Sequence, residues 1–299
     1  MRSGEVALSV RCAGDADRPT IVLVHGYPDT QAVWGPVVQR LAPRFHVVTY
    51  DVRGAGGSSA PRGAAAYHLD RLADDFKAVC RGVTETRAVH VVGHVWGGIQ
   101  GWDFATRPAL AGRVASLTSI AGPALGHALS ATRSALRRRD LLRALDRARR
   151  SWYILPLCLP GGPTLMWKVA LGGKRWRRWL TRVEGMDLDG TYPAATVSSD
   201  GWHGAKLYRA NIPPRLIRRN PLAPAHAPVQ LVIPSHDRFI SGSYYDAAER
   251  MAPGLRRHEV PGSHWLPHAQ PDLVARLVAD FVDETEGAGA GQESVPDSR

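Results

Sequence analysis

Apolar runs typical of buried strands alternate with amphipathic helix patterns through the first third of the chain. The runs at 20–25, 46–51 and 89–94 are rich in Val and are bounded by polar residues or glycine. Between them, residues 28–42 and 69–83 carry apolar side chains at three-to-four spacing. Parallel strands need a crossover connection, which is usually a helix, so this alternation predicts βαβ units. The sequence therefore predicts an α/β fold with a mostly parallel central sheet flanked by helices.

The alternation stops after a strand-like run at 115–123. About a hundred residues rich in Arg, Trp and Leu follow without a buried-strand pattern, until the run at 229–234 resumes the sheet. We therefore expect a core formed by residues 1–124 and 225–284. The residues between them, 125–224, are predicted to form an inserted helical lid, or cap.

Smaller elements complete the predicted core. They are a first strand at 5–12, a helix near 243–251, a last strand beginning at Arg256 and a final helix at 271–283. Residues 285–299 contain Gly, Ser, Pro and acids but almost no large apolar side chain. Such a segment buries too little to offset its ordering entropy, so we expect a disordered tail.

The positive charge is concentrated in one part of the predicted lid. The formal net charge is +11, and residues 133–182 hold fourteen Arg or Lys against two acids, Asp140 and Asp146. Clustered positive charge attracts anions, so this patch suits an anionic ligand, a weak contact with an anionic membrane surface or an acidic partner. A solvated lid face is the alternative. No nucleic-acid-binding module accompanies the charge, so we do not expect nucleic acid as a partner.

The cysteines and the N-terminal sequence give information about the cellular compartment of the protein. Cys12, Cys80 and Cys158 are odd in number and outside any C-x-x-C pattern, which argues against a disulfide framework or a zinc site. The chain shows neither a secretory signal pattern at its start nor a run of eighteen apolar residues. We expect a cytoplasmic protein without a transmembrane segment. Metal-binding and nucleotide-binding motifs are also missing from the sequence, so we expect neither a metal nor a cofactor.

A glycine-rich turn follows the run at 89–94. Its residues are Gly93, His94, Val95, Trp96, Gly97 and Gly98. A strand that leads into small residues and a helix is typical of a nucleophile elbow, which lifts one side chain to the top of the sheet. Position 95 is that side chain. A positive φ there disfavours a β-branched residue, and valine has no lone pair with which to attack a substrate.

Several motifs in a fixed order carry a resemblance to a known family. They are His25-Gly26-Tyr27-Pro28-Asp29, then Asp51-Val52-Arg53-Gly54-Ala55-Gly56-Gly57-Ser58, the turn at 93–98, and finally Asp237 and His264 after the two late strands. Over roughly residues 5–284 the chain resembles α/β-hydrolases of the epoxide hydrolase and haloalkane dehalogenase branch. Tyr153 and Tyr208 resemble the two lid tyrosines of epoxide hydrolases, which dehalogenases lack. Within the branch, the chain looks most like the epoxide-hydrolase-like domain that some bacterial proteins fuse ahead of a short-chain dehydrogenase.

The resemblance implies a set of catalytic roles in which one position is substituted. It places Val95 where the family has its nucleophilic Asp, His264 as general base and Asp237 as the acid that orients the base. It implies that Tyr153 and Tyr208 donate hydrogen bonds to the epoxide oxygen.

The resemblance also implies the surroundings of these groups. Backbone N–H groups of Tyr27 and Trp96 would form an oxyanion hole. Trp34 and Pro28 would line the pocket.

Three hypotheses about function remain open from the sequence. The first is an epoxide-hydrolase-like enzyme that acts on a small apolar epoxide or related strained substrate through His/Asp general-base catalysis, without a covalent intermediate. The second is a non-catalytic pseudo-hydrolase that binds a small ligand or a partner. The third is a lyase, isomerase or epoxide-opening cyclase that uses the same base.

Overall fold

The computed structural model describes residues 1–126, 128–129, 140–188, 190, 192–217, 223–246, 248–252 and 254–293. Parts of three predicted regions lie outside this described portion of the chain. They are residues 127, 130–139, 189, 191 and 218–222 of the predicted lid, residues 247 and 253 of the predicted core, and residues 294–299 of the predicted tail.

A seven-stranded sheet forms the centre of the molecule. In spatial order its strands are β3 (Val10–Ala13), β5 (His46–Tyr50), β4 (Thr20–Val24), β6 (Val89–His94), β7 (Val114–Ile120), β8 (Val229–Pro234) and β9 (Arg256–Val260). β3 pairs antiparallel with β5, and every other neighbouring pair is parallel. The predicted α/β architecture with a mostly parallel sheet is therefore confirmed.

Helices cover both faces of the sheet and create two hydrophobic cores. α2 (Leu69–Val83) and α3 (Trp96–Thr106) pack on one face. α1 (Gly35–Leu41) packs on the other with the C-terminal helix. Along β4, Val22 and Val24 belong to the first core and Ile21 and Leu23 to the second, as the two-residue period of a strand requires. Burial on both faces explains the continuous apolar run that marks this strand.

We call residues 140–217 the inserted segment, and its described residues form five helices between β7 and β8. Their bounds are α4 (Leu141–Arg150), α5 (Ile154–Cys158), α6 (Gly162–Thr164), α7 (Gly173–Val183) and α8 (Val197–Ile217), with a π-helical turn at Leu165–Ala170. The described residues of the inserted segment contain no strand. Leu157 joins the first core and Trp167 the second, so the inserted segment packs over the sheet rather than apart from it.

Two predicted elements of the core differ from the structure. The run at 5–12 is split into β2 (Val6–Ala7), which pairs with β1 (Arg2–Ser3) in a separate hairpin, and β3 of the main sheet. The helix predicted near 243–251 is replaced by two 3-10 turns, Gly242–Tyr244 and Ala248–Arg250. The neighbours Tyr244 and Tyr245 are both buried there, so this segment has no single apolar face.

The C-terminus also differs from the prediction. A short helix, α9 (Leu266–Ala269), precedes α10 (Pro271–Glu293), which extends ten residues past the predicted end at 283. Residues 285–293 of the predicted disordered tail are therefore helical. Extending an existing helix needs no new nucleation, an effect that composition alone does not reveal. None of the described helices combines the length and the apolar composition needed to cross a membrane.

A buried ion pair fastens the loop after β5 to α2. The guanidinium of Arg53 forms two hydrogen bonds with the carboxylate of Asp75, at 2.6 and 2.7 Å, and both side chains are at least 95% buried. Arg53 also donates to the carbonyl oxygens of Ala66 and Arg71. Every partner of this guanidinium is thus a buried or half-buried acceptor, which identifies Arg53 as a structural residue.

Removing one member of this pair should leave the other charge uncompensated. We expect Asp75→Asn to lower the free energy of unfolding by about 3–5 kcal/mol, measured by denaturant titration. Asp283→Asn is the matched control, since its pair with Arg44 is about half exposed on both sides and should contribute under about 1 kcal/mol. Equal losses in the two variants would contradict the structural role of Arg53 and Asp75.

Candidate active site

The turn after β6 holds Val95 in a backbone conformation that is unfavourable for its side chain. Val95 has φ 52° and ψ −111° and directly precedes α3. A positive φ is a strained conformation for a β-branched residue, at a cost of about 1–3 kcal/mol. A Cβ at position 97 would overlap the carbonyl oxygen of Val24, so Gly97 lets α3 lie close to β4. The chain therefore passes from strand to helix through a tight turn whose central side chain is that of Val95.

His264 and Asp237 form a buried hydrogen bond at the carboxyl edge of the sheet. Asp237 follows β8 and His264 follows β9, and because these strands are parallel neighbours, their following loops meet. Nδ1 of His264 lies 2.8 Å from Oδ2 of Asp237. Oδ1 of Asp237 accepts the backbone N–H groups of Phe239 and Ile240 at 2.7 and 2.9 Å. Both carboxylate oxygens are thus held in place, which fixes the imidazole that they orient.

Burial and charge act in opposite directions on the pKa of each partner. Burial alone would lower the pKa of His264, but the charge of Asp237 and the hydrogen bond to it raise that pKa above its ordinary value. Burial alone would raise the pKa of Asp237, but the charge of His264, its hydrogen bond and the two backbone N–H groups lower it. The stabilisation from His264 is therefore lost as the pH rises through its raised pKa. That from Asp237 is lost as the pH falls through its lowered pKa.

A largely apolar cavity of about 580 Å³ lies against this pair, and we call it the first cavity. Five of its lining residues come from separate parts of the chain: Val95, Tyr153, Tyr208, Phe239 and His264. Nε2 of His264 has no hydrogen bond to any described residue and is the nitrogen left to meet a ligand. The lining contains no Asp, Glu, Ser, Thr or Cys. Among the described residues, then, no carboxylate, aliphatic hydroxyl or thiol lines this cavity.

The two predicted tyrosines meet each other and border the same cavity. The ring centroids of Tyr153 and Tyr208 are 6.0 Å apart in an edge-to-face arrangement. Phe239 links them to the histidine, with its ring 5.5 Å from that of Tyr153 and 4.8 Å from that of His264. Burial raises the pKa of both tyrosines, so their hydroxyl groups stay protonated at neutral pH. The lining of the cavity therefore includes these two protonated tyrosines and the imidazole of His264, together with the polar side chains of Tyr27, Arg150 and Arg238.

The predicted oxyanion groups lie on two loops that touch. Trp96 is the first residue of α3, where backbone N–H groups have no partner within the helix. A Cβ at position 26 would lie 2.8 Å from the Cβ of Val95, so the loop that carries Tyr27 runs beside the turn that carries Trp96. Tyr27 also lines the first cavity, and its hydroxyl donates to the carbonyl oxygen of Gly201 at 3.0 Å.

Of the two residues predicted to line the pocket, the structure places one at the first cavity and the other in the core. Pro28 lines the first cavity. Trp34 does not: it is fully buried in the second core, where its ring packs edge-on against that of His94, so its assignment to the pocket is wrong. Trp34 ends the short 3-10 turn Gln31–Trp34, and its side chain belongs to the second core.

The sequence predicted no role for His94, which the structure places in contact with the backbone of His264. Nε2 of His94 donates to the backbone carbonyl oxygen of His264 at 2.8 Å. Burial, followed by the charge of His264, lowers the pKa of His94 to about 3, so this imidazole is neutral and donates a hydrogen bond rather than carrying a charge. Its place in the turn was visible in the sequence, but its partner 170 residues away was not.

Two buried acids near His264 were also missed. The charges of Glu184 and Asp29 both raise the pKa of His264, after the larger effect of Asp237. Glu184 directly follows α7. It is the single acid between Asp146 and Asp187, and this isolation in the sequence is a signal that could have identified it. Burial raises the pKa of Asp29 to about 6, although Asp29 accepts hydrogen bonds from Tyr192 at 2.6 Å and Trp265 at 3.0 Å.

The chain is similar to known proteins both in sequence and in structure. A sequence profile of the alpha/beta hydrolase fold matches residues 19–151. "Epoxide hydrolase A" of Mycobacterium tuberculosis is 38% identical over 125 residues, which cover 41% of this chain and 38% of that protein. A crystal structure of an epoxide hydrolase from Bacillus megaterium superimposes with a TM-score of 0.74 at 22% identity, covering 93% of this chain and 97% of that one.

A longer relative matches almost the whole chain. "Probable oxidoreductase EphD" of Mycobacterium tuberculosis is 36% identical over 291 residues, covering 94% of this chain. The match covers 48% of that protein, so the chain spans about half the length of this relative.

Replacement of Asp237 should change the titration of the imidazole. We expect Asp237→Asn to lower the pKa of His264, because burial then acts against a weaker opposing charge. NMR titration of the imidazole resonances measures this directly. Glu184→Gln should lower the same pKa by less, since Glu184 contributes less to raising it. An unchanged pKa in the first variant, or a larger fall in the second, would contradict the assignment of Asp237 as the main partner.

Proposed function

The chain has the α/β-hydrolase fold and epoxide hydrolase-like homologues, and on that premise we propose that it opens an apolar epoxide or a related strained ring with water. The observation that carries this proposal is the oriented imidazole of His264. It faces an apolar cavity that also contains two tyrosine hydroxyl groups and, at the turn after β6, a side chain that cannot attack.

The proposed reaction begins with a water molecule beside Nε2 of His264. The imidazole takes a proton from this water as its oxygen attacks a ring carbon and the carbon–oxygen bond of the epoxide breaks. Tyr153 and Tyr208 donate hydrogen bonds to the oxygen that becomes negative. The proton held by His264 then returns to the alkoxide through a tyrosine hydroxyl, which gives a diol and restores the site. No bond to the protein forms at any step.

The residues around His264 serve this role in the proposal. Asp237 stabilises the imidazolium that forms during attack, and the hydrogen bond to Nδ1 leaves Nε2 as the nitrogen that accepts the proton. His94 fixes the backbone of His264 without competing for the proton, since His94 is itself neutral. The backbone N–H groups of Tyr27 and Trp96 are proposed to hold the attacking water or the ring oxygen.

Val95 occupies the position that we assign to the nucleophile of related epoxide hydrolases. A valine supplies an apolar wall and no electron pair, so the ester intermediate that a carboxylate would form has no counterpart in this proposal.

The proposal also covers the roles of the inserted segment and of the chain as a whole. The inserted segment is proposed to act as the lid of the cavity, and the chain to correspond to the hydrolase-like part of proteins in which this fold is fused to a dehydrogenase.

A non-catalytic binding protein is the second candidate. The lack of a carboxylate, aliphatic hydroxyl or thiol among the residues lining the first cavity favours it, since hydrolases of this fold act through such groups. Under this candidate the cavity binds a small apolar ligand that is released unchanged. A lyase, isomerase or cyclase would use the same base on a different substrate.

Replacement of the proposed base distinguishes these candidates. We expect the wild-type protein to convert apolar epoxides, assayed by chromatography of the diols, and His264→Gln to lower kcat/KM by at least about 100-fold. In the wild type, kcat/KM should rise with pH through the raised pKa of His264, because only the neutral imidazole accepts a proton. His236→Gln is the control, since His236 is exposed and outside the cavity. Turnover that survives His264→Gln unchanged would rule out the proposed base, and ligand binding without turnover would favour the second candidate.

A further inference from the structure

A second cavity of about 530 Å³ meets the first at the proposed catalytic groups. Val95, Tyr153 and Tyr208 line both cavities. The remaining wall of the second cavity is mainly aliphatic and includes Ile99, Leu125, Ile154, Leu155 and Ile212. A ligand that reaches the tyrosine hydroxyl groups therefore has apolar space on two sides of them.

One charged side chain lies in this apolar wall. Arg147, on α4, lines the second cavity and is only 4% exposed. Its Nη2 donates to Oγ and to the carbonyl oxygen of Ser243 at 3.0 and 3.3 Å, and its guanidinium carbon lies 4.9 Å from the centre of the Tyr244 ring. Nε and Nη1 are buried and have no hydrogen-bond partner in the described part of the chain. These contacts fix the position of the guanidinium but leave two of its nitrogens unused.

The neighbouring arginines on the same helix are in a different situation. Nε of Arg150 lies 2.9 Å from the carboxylate of Asp146, and Arg149 lies 3.4 Å from it. Arg147 has no such acid beside it among the residues that line the second cavity, where it is the single charged side chain. A buried cation with unpaired N–H groups is costly unless an anion or another acceptor meets it.

We propose that Arg147 binds the carboxylate of a ligand whose remaining part is apolar. A guanidinium pairs well with a carboxylate through charge-assisted hydrogen bonds, and the aliphatic wall fits the chain attached to it. A single guanidinium matches a single negative charge, whereas a phosphate monoester would bring nearly two charges into an apolar cavity. This inference deepens the proposed function and rests on it for the reaction, because it assigns the substrate to the class of apolar carboxylates. The carboxylate lies in the second cavity, and the chain extends toward the tyrosines.

Binding of matched probes to the full chain tests the site without requiring turnover. Isothermal titration calorimetry with dodecanoate and methyl dodecanoate compares a carboxylate with a neutral ester on the same alkyl chain. We expect the wild-type protein to bind dodecanoate at least about tenfold more tightly than the ester, the range expected for charge-assisted hydrogen bonds. Dodecyl phosphate, as the third probe, should bind more weakly than dodecanoate.

Two variants assign the preference to one side chain. Arg147→Met should abolish the preference for dodecanoate while keeping affinity for the ester, because methionine retains the apolar contact and removes the charge. Arg149→Met, on the same helix at a largely exposed position, should keep the preference. Equal affinity for acid and ester in the wild type, no binding of either probe, or a preference that survives Arg147→Met would overturn the proposed site. Tighter binding of dodecyl phosphate would overturn the assignment to carboxylates.

The binding test of the carboxylate site and the turnover test of the proposed function can fail independently. Epoxide turnover depends on His264 and is measured with neutral substrates, whereas the carboxylate preference depends on Arg147 and is measured by binding. If turnover is absent but dodecanoate binds with the expected preference, the proposed function fails alone. If turnover depends on His264 but no preference is found, the carboxylate site fails alone.

Discussion

The hydrogen bond between His264 and Asp237 is the interaction on which the site depends. Burial opposes the charged form of both groups, and their mutual attraction offsets that effect, so the pKa of the histidine is raised and that of the aspartate is lowered. The pair is possible because β8 and β9 are parallel neighbours whose following loops meet at one sheet edge. The two backbone N–H groups on Asp237 and the hydrogen bond from His94 to the backbone of His264 then leave the imidazole little freedom. Rigid support of this kind prepares a base for proton transfer.

Val95, at the centre of the turn after β6, shapes the chemistry that we propose. The valine keeps the strained backbone of the turn but contributes only methyl groups to the two cavities that meet there. Because this strain lowers stability, stability does not explain why a valine occupies the position. Within our proposal the apolar wall leaves water as the attacking group, and the surrounding aromatic rings limit how many water molecules reach the base. The same apolar wall would suit a binding protein equally well, so the proposed reaction depends on His264 rather than on the turn.

The sequence predicted the parts of the structure that depend on local pattern. The strands at 20–25, 46–51, 89–94 and 229–234 were found within a residue or so, because burial on both faces leaves a continuous apolar run. Asp237 and His264 were singled out together by their positions after two late strands, and the structure brings them within hydrogen-bonding distance. Contacts between distant segments were not predictable. The second cavity, the support from His94 and the burial of Trp34 each depend on how separate loops pack, which no local pattern encodes.

The direct test of the central claim is the source of the oxygen in the first turnover. Single-turnover reaction of excess protein with an apolar epoxide in ¹⁸O-labelled water should give a diol that carries the label in every product molecule, because solvent attacks without an ester intermediate. Val95→Asp is the comparison, since a carboxylate at that position would transfer its own unlabelled oxygen to the first product. Unlabelled diol from the wild-type protein, or a covalent adduct on it in the mass spectrum, would contradict the account.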